Sequence, residues 1–383
     1  MVPVFEPTSS TFATERSEIY RRLRDERPVF LDLEHNTWVL SRFADVYAAT
    51  ADPDTFSSVA AESDVLLPML NYLDAPHHAE LRGVVTRVFA PTRIASLEPF
   101  IITLAQDLID EYLVGGGDLI GSFAAPLVST IIGRMIGIPE DLIPEFRMLT
   151  DGLFFLGQLG AAEELQEVAA GIYAAFGGIL VARQNAPGED LISALLKVRS
   201  EGDRSDAELL GFCFLSVGGG NDTTTNLIAN GWLLLLSNLD ARAAMRFDRE
   251  LLPGAVEEML RLNPPVVNHA RTTRRDVTLH GVTITEGSRV QLLWDAANLD
   301  KREFPDPERF NIDRRPNRHL AFGQGPHFCL GAPLARLEAR IPLHALLDRC
   351  SELELLEPPT RSRSLWAYAN EGVGLAPPKS AAR

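Results

Sequence analysis

Apolar residues recur at three-and-four spacing from about His77 to Leu262, the period that lays one face of an α-helix on a core. Breakers fall at Pro91, at the glycines of residues 115–117, at Pro139, at Pro187 and Gly188, and at Gly202, so several helices are expected. The longest begins at Ser205, where Ser205 and Glu208 have the spacing of a capping box, and its pattern holds to about Ser237. Some 30 residues at roughly 1.5 Å each make a rod of about 45 Å, long enough to cross a whole domain. Outside this stretch the period changes. Thr37–Leu40 reads as a strand ahead of a helix over residues 43–50, and Val277–Leu279, Val282–Ile284 and Arg289–Leu293 read as small antiparallel strands. Residues 301–326, rich in Pro, Arg and Gly, read as specified coil, and a helix resumes after Cys329 to about Leu347. The pattern predicts a mainly α (α+β) molecule. Its large helical body covers about 77–262 and 329–348, and its small β-rich lobe covers about 28–42 and 266–295. Repeats, low-complexity tracts and linkers are not seen, so residues 1–383 are expected to form one domain.

Charge narrows the partners. With 36 Lys and Arg against 52 Asp and Glu, the net charge of −16 argues against nucleic acid and against anionic membrane surfaces. Cys213, Cys329 and Cys350 are too few, and odd in number, for a disulfide framework, which points to a reducing cytoplasm. Residues 1–10 lack a basic segment followed by an apolar core, so no signal peptide is expected. The most apolar window, 119–138, is cut by Pro126, Ser129 and Arg134, so no membrane span is expected.

Candidate chemistry concentrates in Phe322-Gly323-Gln324-Gly325-Pro326-His327-Phe328-Cys329-Leu330-Gly331. A cysteine at the start of a helix gains from the positive end of the dipole, as a thiolate ligand requires. Glycines before it allow backbone N–H groups to turn toward the sulfur, and Phe322 can cover that face. The bland alternative is a structural cysteine beside a glycine turn; a Cys/His catalytic pair lacks an independent base. In the longest helix, Gly218-Gly219-Gly220-Asn221-Asp222-Thr223-Thr224 places three glycines that cost roughly 1 kcal/mol each relative to alanine. Either the missing side chains open a groove for a flat ligand, or they allow close helix packing. The Thr223 hydroxyl is four residues after Gly219 and can bond its carbonyl and open the helix locally; Asp222 beside it offers a carboxylate for proton relay. Glu258 and Arg261, three apart, share a helix face and can pair.

The loop pattern Phe-x-x-Gly-x-x-x-Cys-x-Gly, matched at Phe322, Gly325, Cys329 and Gly331, resembles the cytochrome P450 family, in particular its soluble bacterial members. The resemblance runs from about Asp74 to the last helix. It implies the P450 fold, with a b-type heme (iron protoporphyrin IX) between the long distal helix and the cysteine-loop helix. Cys329 becomes the axial iron ligand and His327 a propionate partner. Asp74-Ala75-Pro76-His77-His78-Ala79-Glu80-Leu81-Arg82 resembles the family's Asp-x-Pro-x-His-x-x-x-Arg, so His78 and Arg82 are expected on the propionates with Arg271, while His77 is expected to be a solvated neighbour. Asp222 and Thr223 match the family's acid–alcohol pair, and Gly219 stands where many relatives carry alanine. Glu258 and Arg261 match a structural pair tied to the coil that includes Arg309. The implied activity is a monooxygenase that uses O₂ to hydroxylate or epoxidise an apolar small molecule, with NAD(P)H electrons from a separate ferredoxin and ferredoxin reductase. A peroxide-driven or non-hydroxylating enzyme and a non-catalytic heme sensor are the alternatives. Substrate walls are expected at residues 65–70 and 154–156, at Val217, at Val266 and Val267, and at Trp366.

Overall fold

The computed structural model describes residues 5–6, 9, 11–59, 69–115, 117–149, 162–201, 205–350, 352–359, 369–370 and 372–376. Its helices are α1 (Phe12–Glu26), α2 (Phe43–Ala51), α3 (His77–Thr86), α4 (Pro91–Ser96), α5 (Glu98–Gly115), α6 (Ala125–Ile136), α7 (Ala162–Asn185), α8 (Leu191–Glu201), α9 (Asp206–Ser237), α10 (Leu239–Phe247), α11 (Leu252–Leu262), α12 (Trp294–Asn298) and α13 (Ala332–Arg349). Helix α9 starts where the pattern expects it. The Ser205 hydroxyl accepts from the Glu208 N–H, and the Glu208 carboxylate accepts from the Ser205 N–H. Its 32 residues pack on α6, α11 and α13, so both of its flanks meet other helices.

The strands are β1 (Val29–Asp32), β2 (Thr37–Leu40), β3 (Phe56–Ser57), β4 (Asn268–Thr273), β5 (Val277–Leu279), β6 (Val282–Ile284), β7 (Arg289–Leu293), β8 (Glu354–Leu355) and β9 (Leu375–Ala376). A five-stranded sheet has the order β1-β2-β7-β4-β3, and β5 pairs antiparallel with β6. Strand β7 is antiparallel to β4 but parallel to β2. A parallel neighbour needs a long crossover, and most of the helical body lies between these two strands in the chain. Val290 and Leu292 of β7 bury one face with Leu40, Val46, Phe56 and Trp294.

Helix α1, which the sequence reading did not anticipate, docks Tyr20 and Leu23 against Val39, Leu293 and Leu299. The buried Tyr20 hydroxyl donates to Asp295 at 2.6 Å, and Arg24 donates to the Ala296 carbonyl at 2.7 Å. Burial pushes the Asp295 carboxyl up to about 6, against the pull of Arg16, the Tyr20 bond and Arg24.

Glu258 and Arg261 of α11 are fully buried and form a two-pronged pair at 2.7 Å on each prong. Arg309 joins only through its carbonyl, which accepts from Arg261. The second guanidinium on Glu258 is that of Arg314, at 3.0 and 3.1 Å, and Asn317 and the Asn311 N–H complete the carboxylate's partners. Among the described residues no single helix is long and apolar enough to cross a membrane. The apolar 119–138 window is divided between a π-turn at Ile120–Ala124 and α6.

Candidate active site

Positive φ values at Gly323 (67°) and Gly325 (71°) turn the coil back on itself before α13. A β-carbon at Gly323 would lie 3.3 Å from the Trp294 ring, and one at Gly325 would lie 3.0 Å from Ala51 Cα. Gly325 thus seats the loop on α2. The Cys329 N–H donates to the Phe322 carbonyl at 2.8 Å and closes the turn. The N–H groups aimed at the sulfur are those of Gly331 and Ala332, after the cysteine rather than before it, because the first amides of α13 have no acceptor inside the helix. Gly331 has φ −80°, so glycine is not demanded there by the backbone. Phe322 is buried, with Phe328 on its edge at 6.3 Å and the Arg336 guanidinium over its ring at 4.6 Å. Burial raises the Cys329 thiol, while the two amides and the cations Arg82 and Arg336 favour the thiolate.

Basic side chains from two distant segments meet one of the loop's own. His78 and Arg82 come from α3, Arg271 from β4 and His327 from the loop. The His78 and His327 rings lie 4.1 Å apart, and the buried His78 Nε2 has no hydrogen-bond partner among the described residues. Arg82 donates to the Phe328 carbonyl, and the buried Arg271 to its neighbour Ala270. Asp74, the nearby carboxylate, is engaged by Ser57, by the Ser58 N–H and by Arg274. Burial, then the charges of His78 and Arg271, hold His327 down to about 3. Burial likewise lowers Arg271 to about 10 and lowers His78 and Arg82. Two guanidinium groups and two desolvated imidazoles gathered together favour a ligand with acidic arms. His269, two residues before Arg271 and so on the same side of β4, was missed by sequence reasoning. Its ring lies 4.6 Å from Trp294, and burial followed by the Arg271 charge holds it down to about 3. His77 is not merely solvated; it pairs with Glu208 at 2.8 Å and ties α3 to the start of α9.

On α9 the glycine run leaves open space at one position and allows close helix packing at another. A β-carbon on the exposed Gly219 would meet only Leu215 Cδ1 at 3.9 Å, whereas one on Gly220 would lie 2.7 Å from Ile132 Cδ1 of α6. Thr223 Oγ1 donates to the Gly219 carbonyl at 2.6 Å, as the spacing suggests, but α9 stays continuous helix through the run. Asp222 is half-buried, and its carbonyl accepts from Asn226. Val217 does not share the open face. It is buried and, with Asn221, faces a small cavity lined by Ser129, Ile132 and Phe146. Val266 packs in the core of the lobe, while the expected walls at 65–68, 154–156 and Trp366 lie outside the described residues. Cys213 and Cys350 are buried, and burial pushes their thiols up to about 12 and about 11. Glu338 of α13 was also missed, because an acid in a charged helix reads as solvated. It is buried, receives the Thr224 hydroxyl of α9, and keeps one oxygen unpartnered. Burial raises its carboxyl well above the usual range.

Among the described residues no three His, Cys, Asp or Glu side chains gather as a metal cage. One sulfur, four basic groups and an open helix face suit instead a metal carried in a flat, acid-armed ring. The family model described as Cytochrome P450 matches residues 180–365. Cytochrome P450 107B1 of Saccharopolyspora erythraea is 36% identical over 401 residues, covering 98% of each chain. The chain belongs to the cytochrome P450 family. This P450 is also 38% identical over 361 residues to the cytochrome P450 monooxygenase PikC of Streptomyces venezuelae, covering 90% of the chain and 86% of PikC. The solved structure of the cytochrome P450 PksS of the Bacillus subtilis bacillaene polyketide synthase superposes with a TM-score of 0.91, at 31% identity, covering 98% and 100%. The P450 is therefore an oxygen-incorporating oxidoreductase of the heme-dependent type, and such enzymes draw electrons from redox partners.

Proposed function

We propose that this P450, acting as one catalytic unit over its whole length, uses O₂ to hydroxylate or epoxidise a small-to-medium apolar molecule in the cytoplasm. Cys329 binds the heme iron, and a ferredoxin with its NAD(P)H-dependent reductase supplies the electrons. The observation that carries this reading is the convergence of Cys329 with His78, Arg82, Arg271 and His327 from three separate segments. Bound heme supplies the redox chemistry that activates O₂. Cys329, backed by the Gly331 and Ala332 amides, would hold that group through its sulfur and donate electron density to it. The four basic side chains fix the acid arms by charge-assisted hydrogen bonds, with the orphan His78 Nε2 suited to one of them. The missing side chain at Gly219 leaves room on the exposed face of α9. Thr223 holds a hydroxyl proton beside that room, and Asp222 exchanges protons with it. The net charge of −16 supports a freely diffusing protein and electron delivery through a partner's docking rather than a membrane.

The test is optical. The reduced, CO-treated protein is expected to show the red-shifted Soret band of a thiolate-ligated heme, and Cys329→Ala is expected to lack it. A normal band in the alanine variant sinks the assignment. Product formed with NADH, ferredoxin and reductase, compared with product formed with peroxide alone, separates the oxygenase from a peroxide-driven enzyme.

A further inference from the structure

Behind the cysteine loop lies a carboxylate that neither touches the loop's cysteine nor joins the basic cluster. Glu257 of α11 receives Arg336 of α13 on both oxygens, Nε at 2.7 Å and Nη2 at 2.8 Å, a fork matched to a carboxylate. His319 adds a third bond, its Nε2 at 3.1 Å from Glu257 Oε2. The Ala321 N–H donates to His319 Nδ1 at 3.3 Å, which leaves Nε2 as the nitrogen that meets Glu257. The His319 side chain is only 4% exposed and lies 5.9 Å from the Phe322 ring, which locks this support in place. Held from behind, the Arg336 guanidinium lies over the Phe322 ring at 4.6 Å. Phe322 in turn gives its carbonyl to the Cys329 N–H. Arg336 is the end of the pair that touches the loop, joined to Cys329 through the ring and the carbonyl of Phe322.

We infer that Glu257 is a positioning residue which, by pinning Arg336 on the Phe322 ring, sets how strongly Cys329 donates to the bound iron. This rests on Cys329 being the iron ligand. A fixed positive charge near a thiolate stabilises negative charge there, and one-electron reduction of the iron adds negative charge to the same unit. The pinned cation therefore raises the reduction potential and weakens the sulfur's push. Glu257 differs in this from its neighbour Glu258, which is fully buried and ties α11 to the coil.

The experiment is a spectroelectrochemical titration of the heme-loaded protein, with heme content and the CO-complex Soret position recorded for each variant. Arg336→Gln is expected to move the potential to more negative values. Arg336→Lys, which keeps the charge, is expected to hold most of the wild-type value and guards against a simple folding failure. Glu257→Ala frees Arg336 into solvent and is expected to shift the potential in the same negative direction by a smaller amount. Placed on Arg336→Gln, Glu257→Ala is expected to add nothing. An unchanged potential in Arg336→Gln overturns the inference. So does a positive or additive shift from Glu257→Ala, which would mean that its own charge acts directly. Absence of the thiolate CO band in the wild type would instead overturn the ligand assignment, so the two failures are distinguishable.

Discussion

Gly219 and Gly220 are neighbours in sequence, yet only the second needs to be glycine for packing, since its β-carbon would enter Ile132. Alanine at 219 would gain roughly 1 kcal/mol of helix propensity and meet little. The chain keeps glycine there and forgoes that stability, which is the pattern of a position selected for space. Thr223 hangs over the same space, its hydroxyl committed to the Gly219 carbonyl. Removing the hydroxyl leaves no buried partner stranded in the core, so Thr223→Ala is expected to keep heme content, folding and substrate affinity. Reducing equivalents are expected to drain into hydrogen peroxide instead of product. Asp222→Asn removes an ionisable group and is expected to slow turnover. Product and peroxide counted per NAD(P)H, with a working redox pair, check both; unchanged values in both variants would make the pair structural.

At the scale of elements, the long helix, the helix after Cys329 and the strands β2, β5, β6 and β7 were legible because their apolar spacing or caps are local properties. Strand β4 was not. Its residues Asn268, His269, Arg271, Thr272 and Thr273 carry no apolar alternation, because this strand lends its buried side to Arg271 rather than to a core. Helix α1 has its signal in Ile19, Tyr20 and Leu23, but its N-cap Thr11 makes no capping bond and charged residues dilute the stripe. The cysteine loop was legible as a motif, and the family resemblance named His78, Arg82, Arg271 and His327 as one set, whereas apolar spacing alone gave no sign that α3, β4 and the loop meet. The parallel pairing of β2 with β7 was invisible for the same reason. The α11 pair was half legible: Glu258 and Arg261 by spacing, Arg314 not, because a coil has no period. Glu258→Ala leaves Arg261 and Arg314 buried without their carboxylate. It is expected to cost roughly 3–5 kcal/mol and to yield heme-poor protein. Urea midpoints and heme-to-protein ratios measure this, and a stable, fully loaded variant contradicts the structural role.

Across the whole molecule, α1 meets the lobe at the buried Asp295, whose carboxyl titrates: the Tyr20 bond favours its charged form, and burial opposes that form more strongly. Folded Asp295 keeps its proton to about pH 6 because it is buried, whereas the unfolded carboxyl loses it near 3.8. A raised carboxyl contributes stability that is full below about pH 4 and is lost as pH rises through 6, by up to about 3 kcal/mol. Asp295→Asn removes that titration, so its stability is expected to decline less than the wild type's between pH 4 and 7. Parallel stability–pH curves for the two proteins would show that Asp295 does not govern the docking. The cluster of His78, Arg82, Arg271 and His327 acts at the same scale, since it draws on the helical body, the lobe and the connecting coil. On the proposed assignment, the dianionic heme held there works as a rivet through three plates. It binds the folded chain and finds no such site on the unfolded one, so at a hundredfold excess over its dissociation constant it adds about 2.7 kcal/mol by mass action alone. For such a chain, pigment supply and folding yield are one quantity: a cell short of heme would accumulate not an idle enzyme but a fragile one, open to proteases.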